Sequence, residues 1–491
     1  MANISGPIPE WFWKLDLALD RLDFGFNHLS GRVPNSLKFN DQATVFLNGN
    51  RFEGPLPLWS SNVSLLYLND NLFSGPIPVD IAERLPLLTN LEIKGNSLNG
   101  AIPSSFGKLI GLEVLVISNS HISGTIPDCW NDLSHLFILD VSNNSLSGEI
   151  PSSLGSLRSL KFLWLSNNKL SGDFPSALQN CTSIETLDLG GNRLSGKIPL
   201  WIAERMPSLL ILSLRSNLFE GSIPSQLCSL SSLHILDLAH NNLSGSIPLC
   251  MGNLSGMASD LSNERYEGQL WVVVKGRQWL YGNILYLLNS IDLSSNNLSG
   301  ELPEGLSNLS RLGTLNFSMN HLTGEIPQDI GSLQRLETLD LSMNQISGPI
   351  PPSMTSLTSL NHLNLSYNNL TGEIPLGNQF LTLDDASIYM GNPALCGFPL
   401  TTKCNRDDET PQSPEENKDD EDRGEFEMMW FYISMGLGFV VGFWGVCGTL
   451  IIKKSWRYAY FRFVDDMKER IFVVVLVKLA HLRRRMKPER N

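Results

Sequence analysis

An open solenoid built on a parallel β-sheet is the architecture that periodicity predicts for this 491-residue chain. Three observations carry the prediction. The pattern Gly-x-apolar-Pro recurs fifteen times, from Gly6 through Gly372, at steps of 24 residues or within three of it, apart from one step of 55. Within a unit such as Leu136 to Gly148, LFILDVSNNSLSG, apolar residues fall at offsets of two, three and four. From Asn27 to Asn368 an asparagine stands four residues before the glycine, Ser120 being the one break. A fixed period of this length means stacked coils that share one core, each contributing a row.

Each part of the coil follows from its residues. Leu139-Asp140-Val141 alternates at period two, which suits a short strand with one inward face, and stacked strands make a parallel sheet. An inward asparagine amide both donates and accepts, so the asparagines are predicted to form a buried ladder that satisfies turning backbone groups and links neighbouring coils. Proline three residues after every glycine, from Pro9 to Pro375, fixes φ and removes a donor. The side opposite the strands is therefore expected to be irregular rather than helical throughout.

The period divides the chain into repeats over residues 1–256, an insertion at 257–284 and four further repeats at 285–390. A cysteine-bearing cap follows at 391–404, then an acidic segment at 405–428, a membrane-spanning helix at 429–452 and a basic tail at 453–491. The span MWFYISMGLGFVVGFWGVCGTLII has no charge and is long enough to cross a bilayer. Before it lie eleven acids and three bases, after it twelve bases and four acids, so the positive-inside rule puts the tail in the cytosol and the repeats outside. That is a type I plasma-membrane arrangement. It requires a signal peptide, and Met1 opens inside a repeat without an apolar leader, so the chain is expected to be truncated at its N-terminus.

Within the span Ser434, Gly438 and Gly442 form a small-residue row with a GxxxG match, which either packs a partner helix or reflects the glycine content of spanning helices. Tyr458 and Phe461 fit the Tyr-x-x-bulky form read by endocytic adaptors, a form that chance also supplies. The tail carries no Gly-rich loop, HRD or DFG element, so partner kinases must relay any signal. A net charge of -13 argues against nucleic acid as partner.

Among the cysteines, Cys396 and Cys404 stand where an open solenoid end needs closing and read as a cap disulfide. Cys228 and Cys250 are nearly one period apart, which places them on adjacent coils within bridging reach. Cys129 and Cys181 read as small buried thiols. No metal-ligand spacing and no convergent catalytic groups are present, so no enzyme activity, metal or cofactor is expected. The row of Asp140, Asp188, Asp237, Asp292 and Asp340 comes from the repeat itself. Sequons at Asn3, Asn62, Asn143, Asn180, Asn242, Asn253, Asn297, Asn308, Asn316, Asn364 and Asn369 fit a secreted glycoprotein, though the repeat consensus creates some of them.

Two surfaces are candidates for binding. The outward strand positions eight, six and five residues before each glycine depart from the usual Asp or Asn at Phe46, Tyr67, Glu92, Val116 and Trp164, and Arg215 and His240 add polar variety. The insertion brings Tyr266, Trp271, Lys275, Gly276, Trp279 and Tyr281 together in a segment too aromatic for a linker; it either presents these residues to a partner or folds them back on the solenoid.

The repeats match LxxLxLxxNxLxGxIPxxL over roughly residues 2 to 380, and so resemble the plant-specific leucine-rich repeat. With the insertion, four trailing repeats, CGFPL cap, acidic stretch, single span and short basic tail, the whole chain resembles a plant leucine-rich-repeat receptor-like protein. KGRQWLYGNILYLLNSIDLSSNNLSGELPEG and KKSWRYAYF make it similar to the ethylene-inducing xylanase receptor group of that family. The resemblance implies a right-handed superhelix with a concave sheet. It makes the insertion an island domain, in which Tyr266-x8-Lys275-Gly276 and Lys275-x5-Tyr281 match motifs tied to ligand or co-receptor contact. It implies recognition of an extracellular protein or peptide, microbial in a defence receptor, and signalling through leucine-rich-repeat adaptor and co-receptor kinases. A developmental peptide receptor, a decoy for a secreted microbial enzyme and a non-functional fragment remain the alternatives.

Overall fold

The computed structural model describes residues 3–59, 62–258, 270–274, 277–281 and 288–404. Its repeats coil into a solenoid with two parallel sheets, one of 14 strands and one of 13. The 14-stranded sheet takes the Leu-x-Leu segment of each unit: Ile138–Asp140 pairs with Val114–Val116 on one side and Phe162–Trp164 on the other, so that Leu115, Leu139 and Leu163 register and are fully buried. The inward leucines, with Phe52, Phe73, Phe106, Phe219, Trp59 and Trp130, form one continuous core along the coil.

The expectation of an irregular opposite side is corrected. Ser145–Gly148, Lys169–Asp173 and their equivalents build the second parallel sheet, and after the proline each coil makes one tight turn, as at Ser104–Lys108 and Ser152–Ser156. The sequence hides this sheet because Leu-Ser-Gly has weak strand propensity. What holds it is the asparagine ladder. Asn192 Oδ1 accepts the Leu170 N–H at 3.0 Å, in the second-sheet strand of the preceding repeat. Its Nδ2 donates to the Leu165, Leu189 and Gly190 carbonyls at 3.0, 3.0 and 3.1 Å. The same set recurs at Asn217, Asn296, Asn320 and Asn344, so the predicted ladder is present. At Ser120 it shrinks to a single bond from the hydroxyl to the Asn96 carbonyl, 3.3 Å.

Small changes in repeat length are absorbed in the turn. The steps that open at Gly6, Gly75 and Gly196 are each 25 residues, and these units carry the α-helical turns Glu10–Trp13, Ile81–Arg84 and Ile202–Arg205, while the 24-residue units that have a turn use the tighter 3-10 form. One extra residue is what the wider turn needs.

The insertion leaves the solenoid continuous. Ile235–Asp237 pairs directly with Ser290–Asp292, and the turns on either side approach so closely that a Cβ on Gly252 would lie 1.9 Å from the Gly305 carbonyl oxygen. Within the insertion, Leu270–Val274 and Arg277–Tyr281 form an antiparallel hairpin in which Trp271 registers with Leu280 and Val272 with Trp279.

Both expected disulfides are formed, Cys228–Cys250 with Cα atoms 5.8 Å apart and Cys396–Cys404 at 5.1 Å. Cys181 is a buried thiol that donates to the Leu154 carbonyl, and burial pushes its pKa up to about 12; Cys129 is half-buried. The cap continues the coil. Ala394–Cys396 adds a parallel strand to Asn369–Glu373, and Asn392 joins the ladder, accepting from Leu370 N–H and donating to the Leu365 and Tyr389 carbonyls. Its spacing from Asn368 is one period, a signal masked because Asn392 stands five rather than four residues before Gly397.

Candidate ligand-binding face

The residue eight before each glycine forms a central row across the 14-stranded sheet, because Asp23, Phe46, Tyr67, Glu92, Val116, Asp140, Trp164 and Asp188 register strand to strand. The candidate residues divide by surroundings. Phe46 and Tyr67 stack with centroids 4.9 Å apart and planes 13° from parallel, Arg21 lies over Phe46 at 4.7 Å, and Phe46, Tyr67 and Glu92 all stay partly exposed. Burial raises the Tyr67 pKa, with the Glu92 charge adding to it, and burial also raises the Glu92 carboxyl.

Val116 and Trp164, by contrast, are only 9% and 6% exposed. Trp164 stacks on Phe162 at 5.6 Å and joins Ile211 and Ile235 in a second apolar cluster, separate from the main core. Sequence reasoning missed the row ten before the glycine, which supplies Phe162, Ile211 and Ile235. The signal was partial, since the corresponding positions are polar at Thr186, Ser290, Thr314 and Thr338 but also apolar at Leu65, Val114 and Ile138.

Arg215 is held rather than free: its Nη1 lies 2.8 Å from Asp292 and 3.4 Å from both Asp237 oxygens. Burial, and then the neighbouring Asp292 charge, push Asp237 up to about 7. His240 beside them is depressed by burial and then by Arg215. The repeat-derived aspartates are structural. Asp140 and Asp292 each accept the N–H and hydroxyl of the serine two residues on, and Asp188 accepts the Gly190 N–H.

The residue five before each glycine adopts positive φ in coil after coil. After Phe26 in the first coil, coils of the N-terminal half place residues such as Asn119, Asn143 and Asn167 there, which tolerate that region, whereas the last three place Met319, Met343 and Tyr367 at φ 56, 53 and 56°. These three are 52, 49 and 47% exposed, and Met390 of the cap, 45% exposed, lies near the Tyr367 hydroxyl. An apolar column thus runs along the last repeats.

In the insertion, Trp271, Trp279 and Tyr281 lie on the hairpin strands, while Tyr266, Lys275 and Gly276 lie outside the described residues. So do the acidic segment, the span with Ser434, Gly438 and Gly442, and the tail with Tyr458 and Phe461; among the described residues no helix is long and apolar enough to cross a membrane. Among the described residues no His, Cys, Asp or Glu cluster could hold a metal ion.

The sequon asparagines sort by face. Asn180, Asn253 and Asn308 are exposed on the turns, Asn242 and Asn297 are exposed at the starts of second-sheet strands, and Asn369 is exposed at the start of the strand that pairs with the cap. Asn3 is exposed, Asn62 is bonded to Asp41, and Asn143 accepts from Asn167. Asn316 and Asn364 lie half-buried in strands of the 14-stranded sheet, where their Oδ1 atoms accept from Ser318 and Ser366.

Family models agree with the geometry: leucine rich repeat models match residues 86–146, residues 158–203 as two copies, and single repeats at 232–254, 287–309, 311–333, 335–357 and 359–381. The protein is a leucine-rich-repeat solenoid of the plant receptor-like type. More particularly, it is similar to receptor-like protein EIX2 of Solanum lycopersicum, 43% identical over 99% of this chain and 47% of that one. It is also 53% identical to tomato receptor-like protein EIX1 over 46% of this chain and 22% of that one. The chain spans about half the length of EIX2, and less of the other curated relatives it matches. Among solved structures, the ectodomain of the Arabidopsis receptor kinase HAESA, in complex with the peptide hormone IDA and the co-receptor SERK1, superimposes with TM-score 0.60 at 32% identity, covering 80% of this chain and 64% of that one.

Proposed function

We propose that the chain is the ligand-recognising part of a plant plasma-membrane receptor-like protein of type I topology, which binds an extracellular protein or peptide and signals through partner receptor kinases. The observation that carries this reading is the contrast between a uniform scaffold and the aromatic and charged side chains that interrupt its concave row at Phe46, Tyr67 and Glu92. Rigid repeats that display irregular side chains suit recognition, and aromatic residues supply binding energy at low entropic cost. The resemblance of the sequence to the ethylene-inducing xylanase receptor group favours a microbial protein as ligand, and the likeness to the HAESA complex supports a co-receptor as the second partner.

The exposed Met319–Met343–Tyr367 column fits the co-receptor role, because methionine-rich surfaces adapt to a partner face. Expression in plant cells with a C-terminal fluorescent tag tests the reading. Endoglycosidase-sensitive mass, plasma-membrane fluorescence and recovery of a leucine-rich-repeat kinase after exposure to fungal xylanase are expected. An unglycosylated intracellular chain would refute it. Surface delivery with a response to an endogenous plant peptide and none to xylanase would move the protein to the developmental class.

A further inference from the structure

Resting on the reading of the concave face as the ligand surface, we propose that Tyr67 and Glu92 form a subsite for a cationic side chain, lysine or arginine, of the protein or peptide ligand. A cation of the protein's own, from the neighbouring row of the same strand as Asp23, already covers the start of this row. Arg21 sits over Phe46 at 4.7 Å, Phe46 stacks on Tyr67, and Glu92 occupies the next strand in register with Tyr67, one strand spacing of about 4.8 Å away. The order along the sheet is therefore guanidinium, ring, ring, carboxylate. A ring face attracts a cation and a carboxylate pairs with one, so the Tyr67–Glu92 end of the row offers both attractions at one place.

Three further facts favour an incoming cation over any other occupant. Among the described residues the Glu92 carboxylate makes no hydrogen bond and no ion pair, whereas the other end of the row is neutralised internally by the Arg21–Asp23 pair at 2.8 Å. Lys94, Asp70 and Asp140 all lie within electrostatic reach of Glu92, and none of them forms an ion pair with it. Asn90, on the strand that carries Glu92, lies within electrostatic reach of the Tyr67 hydroxyl. A half-buried carboxylate without a partner is a cost to the free protein, and a ligand cation would remove it. An anionic or purely aliphatic anchor would leave that cost in place.

The test uses the purified full chain, immobilised and panned against a phage-displayed random dodecapeptide library. Lysine or arginine is expected at one aligned position among the selected peptides. The synthetic winners are expected to bind Glu92→Gln and Tyr67→Leu about tenfold or more weakly than wild type. Tyr67→Phe, which keeps the ring, should retain most of the affinity, and Glu373→Gln, on the strand that pairs with the cap, should change nothing. Unchanged melting of Glu92→Gln, an isosteric replacement, separates lost binding from lost folding. Winners without a basic residue, or equal binding to Glu92→Gln, would overturn the subsite while leaving the receptor reading intact. Failure to select any peptide, with a folded chain, would overturn both.

Discussion

The N-terminal half of the solenoid and its last four repeats share one scaffold and differ in where they break its rules. In the first half the row eight before the glycine departs from the repeat, at Phe46, Tyr67, Glu92, Val116 and Trp164, while the positive-φ column, apart from the exposed Phe26 of the first coil, stays with residues such as Asn119, Asn143 and Asn167 that accept it. In the last repeats that row returns to Asp292, Asn316, Asp340 and Asn364, each bonded to its own coil, and the positive-φ column turns to Met319, Met343 and Tyr367. Each half keeps one row for stability and gives up another. The difference teaches that the two halves present different surfaces, and that a partner reading one has no reason to read the other.

The comparison assumes that the scaffold is equally strong in both halves, and the ladder tests this with the largest effect. Asn192→Ala and Asn344→Ala each strip one acceptor and three donor contacts from backbone groups of neighbouring coils. Each is expected to cost about 2–4 kcal/mol, because the abandoned groups stay buried. Thermal unfolding of the two variants should shift by similar amounts. A much smaller loss at Asn344 would mean that the last repeats are held by something other than the ladder.

The repeats between the two regions should show pH dependence. Asp237 has its folded pKa raised from 3.8 to about 7, first by burial and then by Asp292, with Arg215 opposing. The folded state thus holds this proton more tightly than the unfolded chain. Its contribution to stability is full below about pH 4 and is lost as pH rises toward about 7. Asp140 and Asp188, also raised by burial, act in the same direction. These carboxyls act to lower the melting temperature as pH rises from 4 toward 7, the depressed His234 and His240 oppose them near neutrality, and Asp237→Asn should remove the Asp237 share, so that the variant loses less stability than wild type across that range. A slope unchanged in the variant would mean that Arg215 keeps Asp237 ionised.

Double dissociation is the sharper test of separate surfaces. Met319→Asn combined with Met343→Asn should weaken kinase association about tenfold or more, leave ligand binding unchanged and raise stability by about 1 kcal/mol, since asparagine tolerates positive φ better than methionine. Phe46→Leu with Tyr67→Leu should do the converse, removing ligand binding while kinase association in the absence of ligand persists. Co-precipitation and equilibrium binding on the same preparations decide it. Loss of both activities in either variant would collapse the two surfaces into one.

Much of this was legible in the sequence because a repeat states its rules fifteen times over. The period gave the coil, the asparagine gave the ladder, and the spacing of Cys228 from Cys250 gave a bridge between coils that the structure forms. What stayed hidden was whatever depends on context rather than on the period. Leu-Ser-Gly forms a strand that pairs with its neighbours while an asparagine of the next coil accepts its leucine N–H. Trp164 looks outward by register, yet it is buried because Phe162, Ile211 and Ile235 surround it. Arg215 reads as a free cation until Asp237 and Asp292 are seen beside it. The exposed column at Met319, Met343 and Tyr367 needed φ values to stand out from ordinary core methionines.

Ser120 offers the smallest effect and a last distinction between the halves. It interrupts the ladder in the N-terminal half, beside the irregular row, and the last repeats have no such break. By the pattern of its neighbours, an asparagine there would accept from Leu98 N–H, as Asn96 does from Phe73 and Asn144 from Ile122, and would donate to the Ile93 carbonyl. Ser120→Asn is expected to raise stability by about 1 kcal/mol, the net value of restored buried hydrogen bonds, seen as a rise in melting temperature. If ligand affinity is unchanged, the break is a tolerated fault in the scaffold. If affinity falls while stability rises, the N-terminal half has surrendered a rung of its ladder, as well as a row of its surface, to recognition.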